Sequence, residues 1–187
     1  MKKIIITTAT VIGSIIGVKA QNTQNAETTS QQTVKLQLAN ALDIQFVSDN
    51  SSTGSTVYLP FTNFEHYANG VESADQEIRV RSNKNFNITV KASSQHFSYT
   101  NGSTVHQVIM PVTILGISVT DNNTGGQPGQ GFGPGNFKSV RRNAQTLISG
   151  GNSGNEQSFS VRYKADPGFN FPPGTYTTDI IYTATQQ

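Results

Sequence analysis

The chain has 187 residues, with 13 Lys and Arg against 11 Asp and Glu, and it contains neither Cys nor Trp. Without Cys there can be no disulfide, no thiol catalysis and no Cys-ligated zinc in this chain, so stability must come from buried apolar side chains. A single domain of about 150 residues can bury such a core.

The first 20 residues have the pattern of a secretory signal peptide. Met1-Lys2-Lys3 precede an apolar run, and Val18-Lys19-Ala20 place small residues where a signal peptidase cleaves, which predicts cleavage near Ala20. The apolar run is about 15 residues, shorter than the roughly 20 that span a bilayer. We therefore expect an exported protein, in the periplasm, at the cell surface or outside the cell, with no membrane insertion.

Cleavage changes the charge of the protein. Three of the 13 basic residues lie in residues 1–20, so ten remain against 11 acidic residues and the net charge becomes −1. A basic surface for nucleic acid is therefore not expected.

Residues 21–33 are almost entirely Gln, Asn, Thr and Ser, and this composition predicts a disordered polar leader. The strongest period-2 pattern of the chain follows it, over residues 34–46. This pattern predicts one long strand, or two short strands with a kink at residues 39–41. Its apolar residues, which also form the candidate assembly strand, are Val34, Leu36, Leu38, Leu42, Ile44 and Phe46.

Further strands are predicted along the chain, separated by turns rich in Gly, Asn, Ser and Pro. Residues 56–61 suggest a short edge strand, and residues 64–75 suggest a loop. Alternating apolar residues predict strands around Ile78, around Ile88 and around Val161. Other strands are expected in residues 96–99, 108–119, 137–148 and 175–185.

The predicted fold class is all-β. Seven to nine short strands and the absence of an amphipathic helix after the signal favour a single immunoglobulin-like Greek-key sandwich over residues 34–187, with a jelly roll as the alternative. In the last strand, Tyr182 and the other even-numbered residues lie on a mostly apolar face. Thr183 and the other odd-numbered residues lie on a mostly polar face.

No set of residues forms a convincing catalytic, cofactor or metal site. His66, His96 and His106 stand in polar surroundings without the spacing of metal ligands, and Asp121-Asn122-Asn123 lacks the alternating ligands of a calcium loop. Catalytic, cofactor-binding and metal-binding residues are therefore predicted to be absent, and the chain is expected not to be an enzyme.

Residues 121–136 form a Gly-rich loop. Its glycines at every second position from Gly129 to Gly133 do not match the nucleotide-binding pattern, and no helix follows. A mobile surface loop is the interpretation, with Phe132 at its tip as a possible contact residue for a glycan or a protein. The absence of Trp and the inward positions of most Phe and Tyr weigh against sugar binding.

Three stretches resemble a group of secreted bacterial β-sandwiches. They are residues 82–90 (SNKNFNITV), residues 159–163 (FSVRY), and residues 173–176 (PGTY) together with residues 180–185 (IIYTAT). They are similar to the spore coat protein U domain, shared with archaic chaperone–usher pilins, and to WxL domains. The overall layout also resembles uncharacterised exported proteins of the Bacteroidetes. The Trp of the WxL motif and the Cys pair of many pilins are missing here.

The pilin resemblance implies assembly by strand exchange, in which an N-terminal extension is inserted along the sheet edge of the next subunit. Only residues 34–46 are apolar enough to act in this way, although the same residues suit the first strand of the chain's own sandwich. Two functions stay open at this point. One is a non-enzymatic structural protein, such as a pilin-like, coat or adhesive subunit that self-associates, and the other is a soluble binding module for a glycan or a protein.

Overall fold

The computed structural model describes residues 30–48, 51, 53–101 and 109–187. The predicted signal peptide, most of the predicted leader and His106 lie outside these residues. The described residues form twelve strands, one α-helix and one 3-10 helix. In chain order they are β1 (Leu42–Phe46), α1 (Phe64–Asn69), β2 (Val71–Glu72), β3 (Gln76–Ser82), β4 (Phe86–Ala92), β5 (Ser98–Thr100), the 3-10 helix (Val112–Ile114), β6 (Leu115–Asn122), β7 (Gln127–Pro128), β8 (Lys138–Ser139), β9 (Gln145–Gly151), β10 (Gly154–Ala165), β11 (Thr175–Thr177) and β12 (Ile180–Gln186).

The strands form two larger antiparallel sheets and one small ribbon. The first sheet has the order β1-β3-β10-β6-β8, with β2 beside the end of β10, and the second has the order β12-β4-β9-β7. The ribbon pairs β5 with β11. The order β1-β3-β10-β6 is that of immunoglobulin strands A, B, E and D, and β4 with β12 take the places of C and F. The predicted all-β sandwich is confirmed.

The core lies between the two sheets and follows the predicted alternation. On β3, Ile78 and Val80 are fully buried, and on β4 every second residue from Phe86 to Ala92 is buried. Strands β6 and β10 add further apolar side chains to the same core. Side chains on a strand alternate between its faces, but both faces of β6 are covered, and Ser118 there is buried with its hydroxyl donating to the Gly133 carbonyl at 3.0 Å.

The predicted strand over residues 34–46 forms only in its second half. Residues 30–41 contain no strand, and β1 begins at Leu42. Contacts divide the chain four residues earlier, into the units Met1–Gln37 and Leu38–Gln187. The alternation was identified correctly, but β1 pairs with β3 only from Leu42 opposite Ser82 to Phe46 opposite Ile78.

Two predictions between β1 and β3 are wrong. Residues 56–61 do not form a strand, and residues 64–75 contain α1 and β2 instead of a loop. The helix begins after Asn63, whose side-chain oxygen accepts a hydrogen bond from the His66 N–H at 2.9 Å. Such capping by Asn supplies a partner for a helical N–H that otherwise has none. At six residues, α1 is too short for a periodic apolar pattern to reveal it.

Two predicted strands are each divided into separate elements. Residues 137–148 split into β8 and the start of β9, which belong to different sheets. The closing run splits at residues 178–179, so that Tyr176 in β11 pairs with Tyr99 in the ribbon, and β12 alone closes the sandwich. A run of β-forming residues does not show where the chain changes partner, because the partners are distant in sequence.

Candidate functional site

The candidate site lies where the two sheets end on the same side of the sandwich. Strand β1 ends the first sheet and β12 ends the second, and each pairs with one strand of its own sheet. In the immunoglobulin order a strand G would lie beside strand F. Within the described part of the chain, the outer edge of β12 has no such strand.

An apolar cleft of about 180 Å³ lies between these two edges, and we call it the edge cleft. Five of its seven lining residues are apolar, and the other two are Gln45 and Tyr182. The lining residues are Ile44, Gln45, Phe46, Ile78, Ile180, Ile181 and Tyr182. A partner with apolar side chains is therefore suited to this cleft.

The burial pattern shows that the sandwich is incompletely covered at this edge. Tyr182 and Ala184 of β12 lie opposite Val90 and Ile88 of β4 and share their face. The two β4 residues are fully buried, but the two β12 residues are only partly buried. On the facing sheet, Ile44 is also partly buried. The apolar face of the last strand thus stays in contact with solvent.

The Tyr182 hydroxyl is hydrogen-bonded to a second tyrosine in the core. Its hydroxyl lies 2.8 Å from that of Tyr163 on β10, and its ring packs edge-on against Phe46 with centroids 6.0 Å apart. Burial raises the pKa of the Tyr163 phenol to about 12 and raises the pKa of Tyr182 well above its usual value. The hydroxyl end of Tyr182 is therefore enclosed, although part of its ring faces the edge cleft.

A polar group closes one end of the edge. The side-chain amide of Gln186 donates to the Ala41 carbonyl at 2.8 Å and lies 3.0 Å from the Asn83 side-chain oxygen. Asn83 in turn accepts from the Ala41 N–H at 2.9 Å and donates to the Ala39 carbonyl at 2.8 Å. These bonds hold residues 39–41 at the connection between β3 and β4, which links the two sheets.

Immediately before this point, residues 34–38 carry three apolar side chains in full contact with solvent. Val34 is 75% exposed, Leu36 is 83% exposed and Leu38 is 88% exposed. Lys35 and Gln37 occupy the alternate positions. Single exposed apolar residues are common, whereas several large ones close together mark an interaction site. We call residues 34–38 the apolar segment.

The six residues of the candidate assembly strand therefore fall into two groups. Leu42, Ile44 and Phe46 belong to β1. Ile44 and Phe46 pack on the chain's own core and border the edge cleft, whereas Leu42 is 40% exposed. Val34, Leu36 and Leu38 are the exposed group. Sequence alternation alone could not separate the two groups, because both have the same period.

Phe132 is not a surface contact residue, and this prediction is wrong. Its side chain is fully buried, and its backbone carbonyl accepts from the Val119 N–H at 2.6 Å. The Gly-rich loop lies close against β9, since a Cβ at Gly129 would overlap the Thr146 carbonyl oxygen. Glycines in this loop permit close approach of the backbone, and Phe132 fills the core beneath.

The remaining polar candidates form local structure. His66 accepts from the Thr62 N–H at 3.2 Å through Nδ1, and Asp121 accepts from the Asn122 N–H and the Asn123 side chain within its own turn. No group of three or more His, Asp or Glu residues that could hold a metal ion occurs in the described ranges. Among the same residues, no helix has the length and apolar character needed to cross a membrane.

No protein-family model matches the sequence, and no curated protein matches it. Solved structures give faint similarity. A chaperone–usher pilus structure has a TM-score of 0.39 and 11% identity, over 87% of this chain and all of that one. A family 123 glycoside hydrolase from Clostridium perfringens has a TM-score of 0.34 and 16% identity, over 80% of this chain and 25% of that one. This chain thus spans a quarter of the hydrolase, and neither likeness assigns a family or an activity.

Proposed function

We propose that this chain is an exported, non-enzymatic structural subunit that assembles by strand addition, as a pilin-like, coat or adhesive protein of the cell surface. In this proposal, the apolar segment of one copy pairs with the outer edge of β12 in another copy and covers its edge cleft. The observation that carries the proposal is the presence, in one chain, of an unpaired apolar row and of an apolar cleft beside an open sheet edge.

The spacing of the two surfaces supports the proposal. Alternate residues of a strand are about 6.6 Å apart, so Val34, Leu36 and Leu38 span about 13 Å. The partly buried face of β12 has its own row of three side chains at the same period, Ile180, Tyr182 and Ala184. A strand placed beside β12 therefore sets one row next to the other. Lys35 and Gln37 would then face solvent.

The energetics indicate concentration-dependent assembly. Full burial of a Val or Leu side chain contributes about 1.5–3 kcal/mol, so the three side chains together contribute about 4.5–9 kcal/mol. Association of two macromolecules costs an estimated 4–15 kcal/mol in lost freedom of motion. Apolar burial alone is therefore marginal, and backbone hydrogen bonds along β12 must add to it.

Cross-linking between single-cysteine variants tests the proposal directly, because the natural chain has no thiol to interfere. Lys35→Cys and Thr183→Cys proteins, carrying tags of different mass, are mixed under mild oxidation and analysed on a non-reducing gel. Both residues are exposed, and each alternates in sequence with the apolar residues of its own segment, so neither change disturbs the core. Glu156→Cys, an exposed residue of β10 in the other sheet, replaces Thr183→Cys in the matched control.

Strand addition predicts a mixed disulfide of Lys35→Cys with Thr183→Cys, and much less with Glu156→Cys. Light scattering across a concentration series should show species larger than one chain that diminish when residues 30–40 are deleted. A single-chain mass at every concentration, together with equal cross-linking at the two partner positions, would contradict the proposal. A monomeric cross-link in the Lys35→Cys/Thr183→Cys double variant would place the apolar segment on its own sandwich.

A further inference from the structure

A second surface of interest is built by four aromatic rings from two distant parts of the chain, and we call it the aromatic cluster. Phe61 precedes α1, Phe64 and Tyr67 lie one turn apart on α1, and Phe169 belongs to the turn after β10. The Tyr67 and Phe169 rings are stacked, with centroids 5.4 Å apart and an interplanar angle of 22°.

The aromatic cluster is not a closed core. Phe64 is 81% exposed and Phe169 is 63% exposed, with their ring centroids 5.8 Å apart. Phe61 lies 5.4 Å from Tyr67 and forms the opposite wall. An open pocket of about 370 Å³ lies among these rings, a volume within the range of small-molecule sites. Leaving two Phe rings in water is unfavourable, so a contiguous patch of this kind points to a ligand.

The pocket is neutral and carries polar groups on one side. Its lining residues are Phe61, Thr62, Asn63, Phe64, Tyr67 and Phe169, and none of them is charged. Asn63 uses its side-chain oxygen to cap α1, while its amide nitrogen lies 3.5 Å from His66 Nε2, at the outer limit of a hydrogen bond. The Thr62 hydroxyl lies 3.3 Å from His66 Nδ1, and a hydroxyl has one donor and two acceptor positions, so it keeps capacity for a ligand in the pocket, as the Asn63 amide does.

From this combination we propose that the aromatic cluster binds a neutral oligosaccharide of pyranose sugars with equatorial hydroxyls. The C–H face of such a sugar is apolar and flat, and it suits the negative face of an aromatic ring. Its hydroxyls both donate and accept hydrogen bonds, as the side chains of Thr62 and Asn63 do. An ionic ligand is disfavoured because no lining residue supplies an opposite charge.

Neighbouring rings extend the surface beyond one sugar unit. Tyr99 and Tyr176 face each other across the β5–β11 ribbon with centroids 4.8 Å apart, and Phe171 lies 6.4 Å from Tyr176. Phe171 follows Phe169 of the aromatic cluster by two residues, so the chain itself links this ribbon to the cluster. An oligosaccharide can therefore contact more rings than a monosaccharide can.

The test is an NMR titration of the isotope-labelled full chain with cellotetraose and with chitotetraose as probes. We expect ring resonances of Phe64, Tyr67 and Phe169 to shift with at least one probe, and the affinity to fall about 2- to 10-fold in Phe64→Ala and in Phe169→Ala. Tyr58→Ala is the matched control, because Tyr58 is 80% exposed but does not line the pocket. Circular dichroism of each variant checks that folding is retained.

Three results would overturn the proposal. One is the absence of ring shifts with both probes at millimolar concentration. Another is a shift with choline chloride and not with the sugars, which would indicate an aromatic cage for a cation. The third is an equal loss of binding in Tyr58→Ala, which would show that the aromatic cluster is not the place of contact. The cross-linking of Lys35→Cys to Thr183→Cys is independent of all three.

Discussion

Replacement of Leu36 by Asp should weaken assembly and leave the stability of the subunit unchanged. Leu36 is 83% exposed in the isolated chain, so its burial by a second copy contributes about 2 kcal/mol. Loss of 2 kcal/mol raises the dissociation constant about 30-fold, and burial of the new carboxylate adds to this. The stability of the subunit should stay within about 0.5 kcal/mol of the parent, as for other exposed positions.

Two measurements on the same preparation check this prediction. Light scattering across a concentration series gives the dissociation constant, and urea unfolding gives the stability of the subunit. Gln37→Asp is the matched control, because it adds the same charge at the neighbouring exposed position on the opposite side of the apolar segment. If Leu36→Asp destabilises the subunit by 2 kcal/mol or more, Leu36 belongs to the chain's own core and our reasoning is refuted. Equal weakening by Gln37→Asp would indicate a general charge effect.

Four further outcomes are expected. Gly129→Ala should destabilise the fold by about 1–3 kcal/mol because its Cβ would overlap the Thr146 carbonyl, whereas Gly133→Ala, with open space around it, should be neutral in the same urea experiment. Phe132→Ala should lower the free energy of unfolding by about 3–5 kcal/mol. A neutral result would show that the Phe132 side chain is exposed and not part of the core. Tyr163→Phe leaves the Tyr182 hydroxyl without its partner and should cost about 1–3 kcal/mol, partly recovered in the Tyr163→Phe/Tyr182→Phe double variant. The Tyr163 pKa is about 12 in the folded chain and about 10 in the unfolded chain, so the unfolded chain loses this proton at lower pH. The free energy of unfolding should therefore fall by up to about 3 kcal/mol between pH 10 and pH 12. The fall should be smaller in Tyr163→Phe.

The sequence by itself determined the class of the fold and the faces of its central strands. Alternation around Ile78 and Ile88 predicted which side chains are buried, because the period of a strand assigns each residue to a face without reference to its partners. It also identified the apolar row from Val34 to Phe46, which contains both the first strand and the exposed apolar segment. The strands predicted around Ile78 and around Ile88 are present as β3 and β4, although these two strands belong to different sheets and do not form a hairpin.

Only the tertiary structure decided where strands end, which edges stay open and which loop residues are buried. Residues 34–38 and β1 have one pattern, but pairing with β3 begins only at Leu42. Phe132 is buried because its loop lies close against β9, and the aromatic cluster joins α1 to Phe169, about a hundred residues away. Each of these features depends on contacts between segments distant in sequence, and a local period carries no information about such partners.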